Sequence, residues 1–519
     1  MAHVTVIRIP SLFAAGALTL SATPPIGLAY VAASIRAAGH DVSVIDGVGE
    51  AITQVYYYGQ KNLYVNGLRI EEIIERVDPK AQFICVSFPF SHEFPLAKKV
   101  CEALKNSFPK AILIGGGEHI SAMPEFTLKT CPSIDFAVLG EGEETIIELI
   151  QCLNKGLDVA FVTGIAFRKE GEGIRTARRI RVRNIDNITR PAWDLIPLET
   201  YLAGGYSFGV NIGRTIPLMA TRGCPYQCTF CSNPSMWTTK WIARSPEDVV
   251  DEMESYIKDY GVQNFDFYDL TAIVKKDWTV KFCNLLIAKK WDITWQLPSG
   301  TRSEALDDEV TKLLYASGCR NLSYAPESGS PEMLSKIKKK IDPDRMLVSM
   351  RTAVKNGINI KANMIVGFPG ERLNNILESY WFAVRMAWVG VDDMSMWVFS
   401  AYPGSEIFDN LVKGQNAKID LSDDYFTSLL SYSDLNNVVS WNEYFNNRQL
   451  KYMRYFGILL FYFSCYFFRP WRFFRTIKNV VTHKPQSRME MIIEKAISRH
   501  RSVQDKKQRL QEKAYAHQG

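Results

Sequence analysis

Over the first 170 residues, short β-branched runs alternate with amphipathic stretches. VTVIRI (4–9), DVSVID (41–46), FICVSF (83–88), AILIGG (111–116) and DFAVLG (135–140) read as strands. Between them, IGLAYVAASIRAAG (26–39), AKKVCEALKNSF (97–108) and ETIIELIQCLNKG (144–156) read as helices. This alternation predicts an α/β unit over 1–170 with a parallel, doubly wound (Rossmann-like) sheet. Residues 171–215 are polar and charge-rich and read as a linker. From 216 to 405 the βα rhythm returns, with strand candidates at 217–221, 264–269, 293–297, 322–326, 361–367 and 393–399. Six such units predict a full or partial (β/α) barrel, with its chemistry at the C-terminal ends of the strands. The rhythm is lost over 406–519, which reads as a helical region ending in a polar, charged tail.

Composition narrows the class only a little. A chain of 519 residues holds two or three domains with substantial cores, and 47% hydrophobic with 22% charged residues is ordinary for a folded soluble protein. A net charge of +6 is small for this length and gives no argument for a nucleic-acid partner. Of the ten cysteines only three cluster. The other seven (Cys85, Cys101, Cys131, Cys152, Cys283, Cys319 and Cys465) lie among apolar neighbours and read as reduced, buried thiols rather than a disulfide framework. No charged segment precedes VTVIRIP (4–10), so no signal peptide is read and the expected compartment is the cytoplasm.

The three clustered cysteines carry the sharpest chemistry. In TRGCPYQCTFC (221–231), three residues separate Cys224 from Cys228 and two separate Cys228 from Cys231. Thiolates on one tight loop wrap a cubane and ligate three of its four irons, leaving the fourth for a substrate's amino and carboxylate groups. Structural zinc wants four ligands, and no second Cys or His pair lies nearby. The motif, with Phe230 before the last cysteine and Arg222–Gly223 before the first, resembles the signature of the radical S-adenosylmethionine (SAM) superfamily. Residues 295–334, with Glu327 and Ser328 in an ESGS stretch, and NMIVGFPGE (363–371) resemble later strands of one large branch. By that resemblance Cys224, Cys228 and Cys231 hold a [4Fe–4S] cluster that cleaves SAM to a 5′-deoxyadenosyl radical. The strand-end groups expected to hold SAM are Tyr268, Asp269, Arg302, Glu327, Ser328 and the turn from Gly367 to Gly370.

The sheet ahead of the barrel resembles corrin-binding domains. Their marks are an Asp–x–His–x–x–Gly loop after a strand, a Ser about 40 residues on, and a Gly–Gly after a further strand. Here Asp46, Ser87 and Gly115–Gly116 fall at strand ends, where open sheets bind ligands. GGGEH (115–119) and LGEGEET (139–145), which contains Glu141, further resemble the cobalamin-binding radical SAM group. One position departs: Val48 stands where the axial histidine would be, and Ala51 replaces the glycine. Bound cobalamin is therefore expected to take no histidine from that loop. A vestigial sheet that only covers the barrel is the competing reading.

What the resemblance implies is a cobalamin-dependent radical SAM enzyme that methylates an unactivated carbon of a small-molecule or lipid-like substrate. One SAM would give the methyl group and a second the radical, with electrons from a flavodoxin- or ferredoxin-type reductant. The alternatives are oxidative cyclisation or rearrangement without methyl transfer, and a non-catalytic cobalamin or iron–sulfur sensor. YFGILLFYFSCYFF (455–468) is uncharged but too short to cross a bilayer. The basic, aromatic segment after Pro470 reads either as an interfacial helix at the inner face of a membrane or as a helical cap with snorkelling arginines.

Overall fold

The computed structural model describes residues 1–17, 22–59, 62–301, 306–413, 419–494 and 497. In the first unit β1 (His3–Arg8), β2 (Asp41–Asp46), β3 (Phe83–Ser87), β4 (Ile112–Gly116) and β5 (Phe136–Val138) run parallel, in the spatial order β2-β1-β3-β4-β5. Helices α1 (Ile26–Ala37) and α3 (Gly142–Asn154) bury Val4, Val6 and Ile114 on one face. Helix α2 (Phe94–Ser107) covers Ile7, Ile84 and Val86 on the other. Burial on both faces is why these strands are almost wholly apolar. The strand order reverses between β1 and β3, which opens a crevice at their C-terminal ends.

Two features lie beyond the sequence pattern. β6 (Ile165–Lys169) and β7 (Glu172–Arg175) extend the sheet antiparallel, so it continues past residue 170 to Arg175. Strands Ser11–Ala14, Val55–Tyr57 and Leu63–Asn66 form a small separate sheet after β1. Runs of three or four residues are too short to show a period.

The second unit has β8 (Thr215–Leu218), β9 (Asn264–Phe267), β10 (Thr294–Thr301), β11 (Cys319–Glu327), β12 (Asn359–Val366) and β13 (Asp393–Val398). Each pairs in parallel with the next, and the first and last do not pair, so this is a partial barrel. Its outer layer is α4 (Pro246–Tyr260), α5 (Lys276–Lys289), α6 (Asp308–Ala316), α7 (Pro343–Lys355) and α8 (Leu373–Val389). Ser245, Asp307 and Asp342 cap three of these helices with side-chain oxygens, and Gly261 and Gly390 end two of them in left-handed backbone.

The segment 208–210 crosses the barrel interior. Phe208 and Gly209 donate backbone N–H groups to Asp266 (3.1 and 2.9 Å), and Val210 donates to Gln296 (3.0 Å). Asp266 and Gln296 are register partners on adjacent strands, so these contacts occupy the interior at that level. Two C-terminal helices, α9 (Asn447–Phe468) and α10 (Trp471–Val481), follow; α9 lies along α8 and β13. No described helix is long and apolar enough to cross a membrane.

Candidate active site between the two sheets

The sequence-selected residues of the first sheet fall on one line. Arg8 is in register with Asp46 on one side and Ser87 on the other; Ser87 is opposite Gly116, and Gly116 opposite Val138. Asp46, Ser87 and Gly116 therefore form a row along the C-terminal edge, with Gly115 one step below. A Cβ on Gly116 would meet nothing within 4 Å, so the row is open above it. Gly117 has φ +116°, and a Cβ there would lie 2.5 Å from the Phe88 carbonyl oxygen, so only glycine makes this turn. An open ledge at a switch point, floored by small residues, fits a corrin ring.

Asp46 does not face this ledge with a bare carboxylate. It is fully buried and accepts hydrogen bonds from the Tyr201 hydroxyl (2.6 Å) and the Val48 N–H (3.2 Å), with Arg8 at 3.5 Å. Arg8 also donates to Tyr201 (2.9 Å) and to the Thr23 carbonyl (2.8 Å). Tyr201 belongs to the 171–215 segment read as a linker; its burial, with that of Trp193, docks that segment onto the first unit. Val48 is itself fully buried.

Of the two histidines near these loops, His119 is a core residue: fully buried, hydrogen-bonded with Ser91 (3.0 Å) and Thr127 (3.2 Å), and packed against the Phe94 and Phe88 rings. Burial lowers its pKa to about 3. His92 is buried beside Phe90, and burial lowers it to about 4.

In the second unit the cysteine loop leaves the barrel through Thr221–Arg222, which pairs with Ile242–Ala243. Gly223 turns the chain at φ +85°, where a Cβ would sit 2.4 Å from the Lys240 carbonyl oxygen. Cys224, Cys228 and Cys231 are the partly exposed cysteines; the other seven are buried. The loop is pinned by Thr229, whose N–H donates to Ile337 (3.0 Å) and whose carbonyl accepts from Ile407 (2.9 Å). A rigid loop with its three thiols at the open end of the barrel fits an iron–sulfur cubane.

The proposed SAM contacts divide. Tyr268 follows β9 directly, half-buried and edge-on to Phe208. Asp269 is buried and accepts from Thr221 Oγ1 (2.5 Å) and the Ala220 N–H (3.2 Å), so it holds the entrance of the cysteine loop. Burial raises its carboxyl to about 6. Glu327 ends β11 in left-handed backbone (φ +65°) and pairs with Lys339 (3.0 Å), both buried. Strain of this kind in a non-glycine residue collects at functional sites. Ser328 is fully buried and bonds Ser379 (3.1 Å) and the Ser330 N–H (3.1 Å), which makes it a turn residue. Arg302 lies outside the described residues.

Gly367 (φ +86°) opens a turn closed by Glu371, which accepts from the Gly367 and Phe368 N–H groups (2.5 and 3.2 Å). Burial raises the Glu371 carboxyl to about 7, and those N–H groups only partly oppose it. A raised folded-state value means that the folded chain keeps a proton which the unfolded chain has released. Stability therefore falls as pH rises from about 4.5 to about 7, by roughly 3 kcal/mol from this group. Glu371→Gln is expected to remove that part of the slope; equal urea-unfolding slopes for both proteins across pH 4.5–7.5 would contradict it.

A joint that the sequence did not reveal brings the two sites together. Arg222, just before the cysteines, pairs with Glu141 (3.1 Å), which caps α3, and with Glu143 (2.6 Å) in its first turn. Arg181 takes the other oxygen of Glu141 (2.9 Å). All four are buried or nearly so, and the Arg222 guanidinium also lies over Tyr30 and Trp237. Glu141, expected to touch a cofactor, is thus engaged in the joint. Beside it, Glu118, next after the Gly115–Gly117 run, accepts from Ser232, next after Cys231. These contacts set the turn after the Gly115–Gly117 run against the end of the cysteine loop.

Residues 15–150 match the B12 binding domain family and residues 218–383 the radical SAM superfamily. An uncharacterized methyltransferase of Pyrococcus horikoshii is 30% identical over 386 residues, covering 74% of this chain and 78% of its own. The chain belongs to the cobalamin-binding radical SAM family. This radical SAM enzyme uses a [4Fe–4S] cluster, SAM and cobalamin. It is also 26% identical over 412 residues to the anaerobic magnesium-protoporphyrin IX monomethyl ester cyclase of Cereibacter sphaeroides, covering 78% of this chain and 62% of the cyclase. Its fold is that of the radical SAM methyltransferase TsrM from Kitasatospora setae, solved with cobalamin and a [4Fe–4S] cluster. The TM-score is 0.62 at 17% identity, covering 80% of this chain and 78% of that one.

Proposed function

We propose that the enzyme transfers a methyl group to an unactivated carbon of a small-molecule or lipid-like substrate. The observation that supports this reading is the joint between the two units: Arg222, two residues before Cys224, pairs with Glu141, and Ser232, next after Cys231, donates to Glu118, next after the Gly115–Gly117 run. When bound, the cluster, SAM and cobalamin supply a carbon-centred radical and a transferable methyl group.

The chain's own residues orient these groups. Asp269 and Thr229 fix the cysteine loop, and Asp46 with Tyr201 fixes the turn below the ledge. The electron comes from an external flavodoxin- or ferredoxin-type reductant, and the protein works at the periphery of a membrane. The likeness to the cyclase supports a second reading, oxidative cyclisation with the same cofactors.

Anaerobic turnover of the reconstituted enzyme with methyl-labelled SAM separates the readings. Methyl transfer gives 5′-deoxyadenosine and S-adenosylhomocysteine together. Deoxyadenosine alone favours cyclisation, and neither product indicates a sensor.

A further inference from the structure

Helix α9 presents an unbroken stripe to solvent. Tyr452, Phe456, Leu459, Phe463 and Phe467 follow one another at three- and four-residue steps and are 53–70% exposed. The stripe continues onto α10 through Trp471, Phe474 and Val481, each more than 60% exposed. Solvent-facing helices carry polar residues here; these carry aromatic rings.

The face is wider than one helix. α8 packs along α9, through Tyr380 against Phe456 (5.1 Å) and Trp388 against Phe468 (4.9 Å). Its own outer stripe holds Leu373, Leu377, Trp381 and Trp388, all half-exposed or more. The result is a continuous aromatic surface about 33 Å long, from the 22 residues of α9 at 1.5 Å each.

Charge selects the occupant. From 447 to 481 there is no Asp or Glu, and exposed Arg448 and Lys478 stand at the two ends of the stripe, with Lys484 beyond. Glu378 is the acid on α8. A second copy in two-fold pairing would set cationic helices against each other. The sequence RSVQDKKQRLQEKAYAHQG (501–519) is polar and charged in composition. Tryptophan and tyrosine amid arginine and lysine, on helices too polar to span, match the interface of an anionic bilayer.

We infer that α8, α9 and α10 form a monotopic docking face for an anionic lipid bilayer, into which the rings of Phe463 and Phe467 insert. This rests on the lipid-like, membrane-peripheral part of the proposed function and names the surface that carries it.

The test is flotation of the full reconstituted chain with vesicles of phosphatidylglycerol and phosphatidylcholine. Wild type is expected to float with anionic vesicles and at least tenfold less with pure phosphatidylcholine. Phe463→Glu/Phe467→Glu should stay with the soluble fraction while still forming 5′-deoxyadenosine at the wild-type rate. Light scattering after gel filtration provides the second measurement. A stable wild-type dimer that the double variant splits, without flotation, would overturn the inference in favour of self-association. A wild type that stays monomeric and below the vesicles would overturn it outright. Loss of S-adenosylhomocysteine formation with flotation intact would instead count against the methyl-transfer reading alone.

Discussion

Cys228→Ala is expected to bring iron content and 5′-deoxyadenosine formation to background, a loss of at least ~1000-fold, or about 4 kcal/mol in activation free energy. With two thiolates left, the loop cannot complete three-point ligation of a cubane. The fold should persist, because Cys228 sits partly exposed on a loop whose fixing contacts come from Thr221, Thr229 and Asp269. Circular dichroism and retention of cobalamin by the variant should therefore match wild type. Cys224→Ala and Cys231→Ala should behave alike, whereas Cys283→Ala, at a buried thiol in the outer layer, should keep its cluster. Deoxyadenosine above a tenth of the wild-type rate in any of the three loop variants would remove the cluster from these residues.

The second large effect is on stability. Arg222→Met leaves the Glu141 and Glu143 carboxylates buried with much of their compensating charge removed, at a cost of roughly 3–5 kcal/mol. Burial alone would raise the Glu143 carboxyl, but Arg222 more than offsets this, and the folded value lies below the ordinary one. In wild type that pair's stabilisation is present above about pH 4.5 and is lost as the pH falls through the lower folded value. In Arg222→Met the sign reverses, because the lone buried carboxyl then prefers its proton. Urea unfolding should show a lower midpoint for the variant at pH 7.5 and a smaller gap at pH 5. Adding Glu143→Gln to Arg222→Met should recover part of the loss. An unchanged midpoint for the single variant would mean the joint contributes nothing.

The ledge was readable because both of its ingredients are local. A buried parallel strand is an apolar run, and its C-terminal end is where the run stops; Asp46, Ser87 and Gly116, singled out by the resemblance to corrin-binding domains, fall at such ends and share one register row. The cysteine loop was legible for the same reason, as its spacing is its chemistry. Contacts between distant segments were not. Arg222 meets Glu143 across 79 positions, and nothing in GEGEE states whether its acids face a cofactor or an arginine. Asp269 and Ser328 were chosen for their strand-end positions, yet they hold backbone. Tyr201 was hidden in a polar stretch whose composition suggested a linker. The face formed by α8 and α9 needed coordinates, because its two stripes lie apart in the chain and only packing sets them side by side.

The joint at Arg222 also limits how such proteins exchange parts. The corrin sheet and the cluster barrel look modular, each complete with its own strands and helices. Yet the acids that satisfy the barrel's arginine are encoded in the sheet's last crossover, and Tyr201, encoded after the sheet, steadies the aspartate of the ledge. A chimaera that imports residues 1–175 from a relative therefore inherits a working seam only if that relative supplies acids at both positions, the cap of α3 and its first turn. Recombination between family members is held to partners whose halves already agree on this handshake.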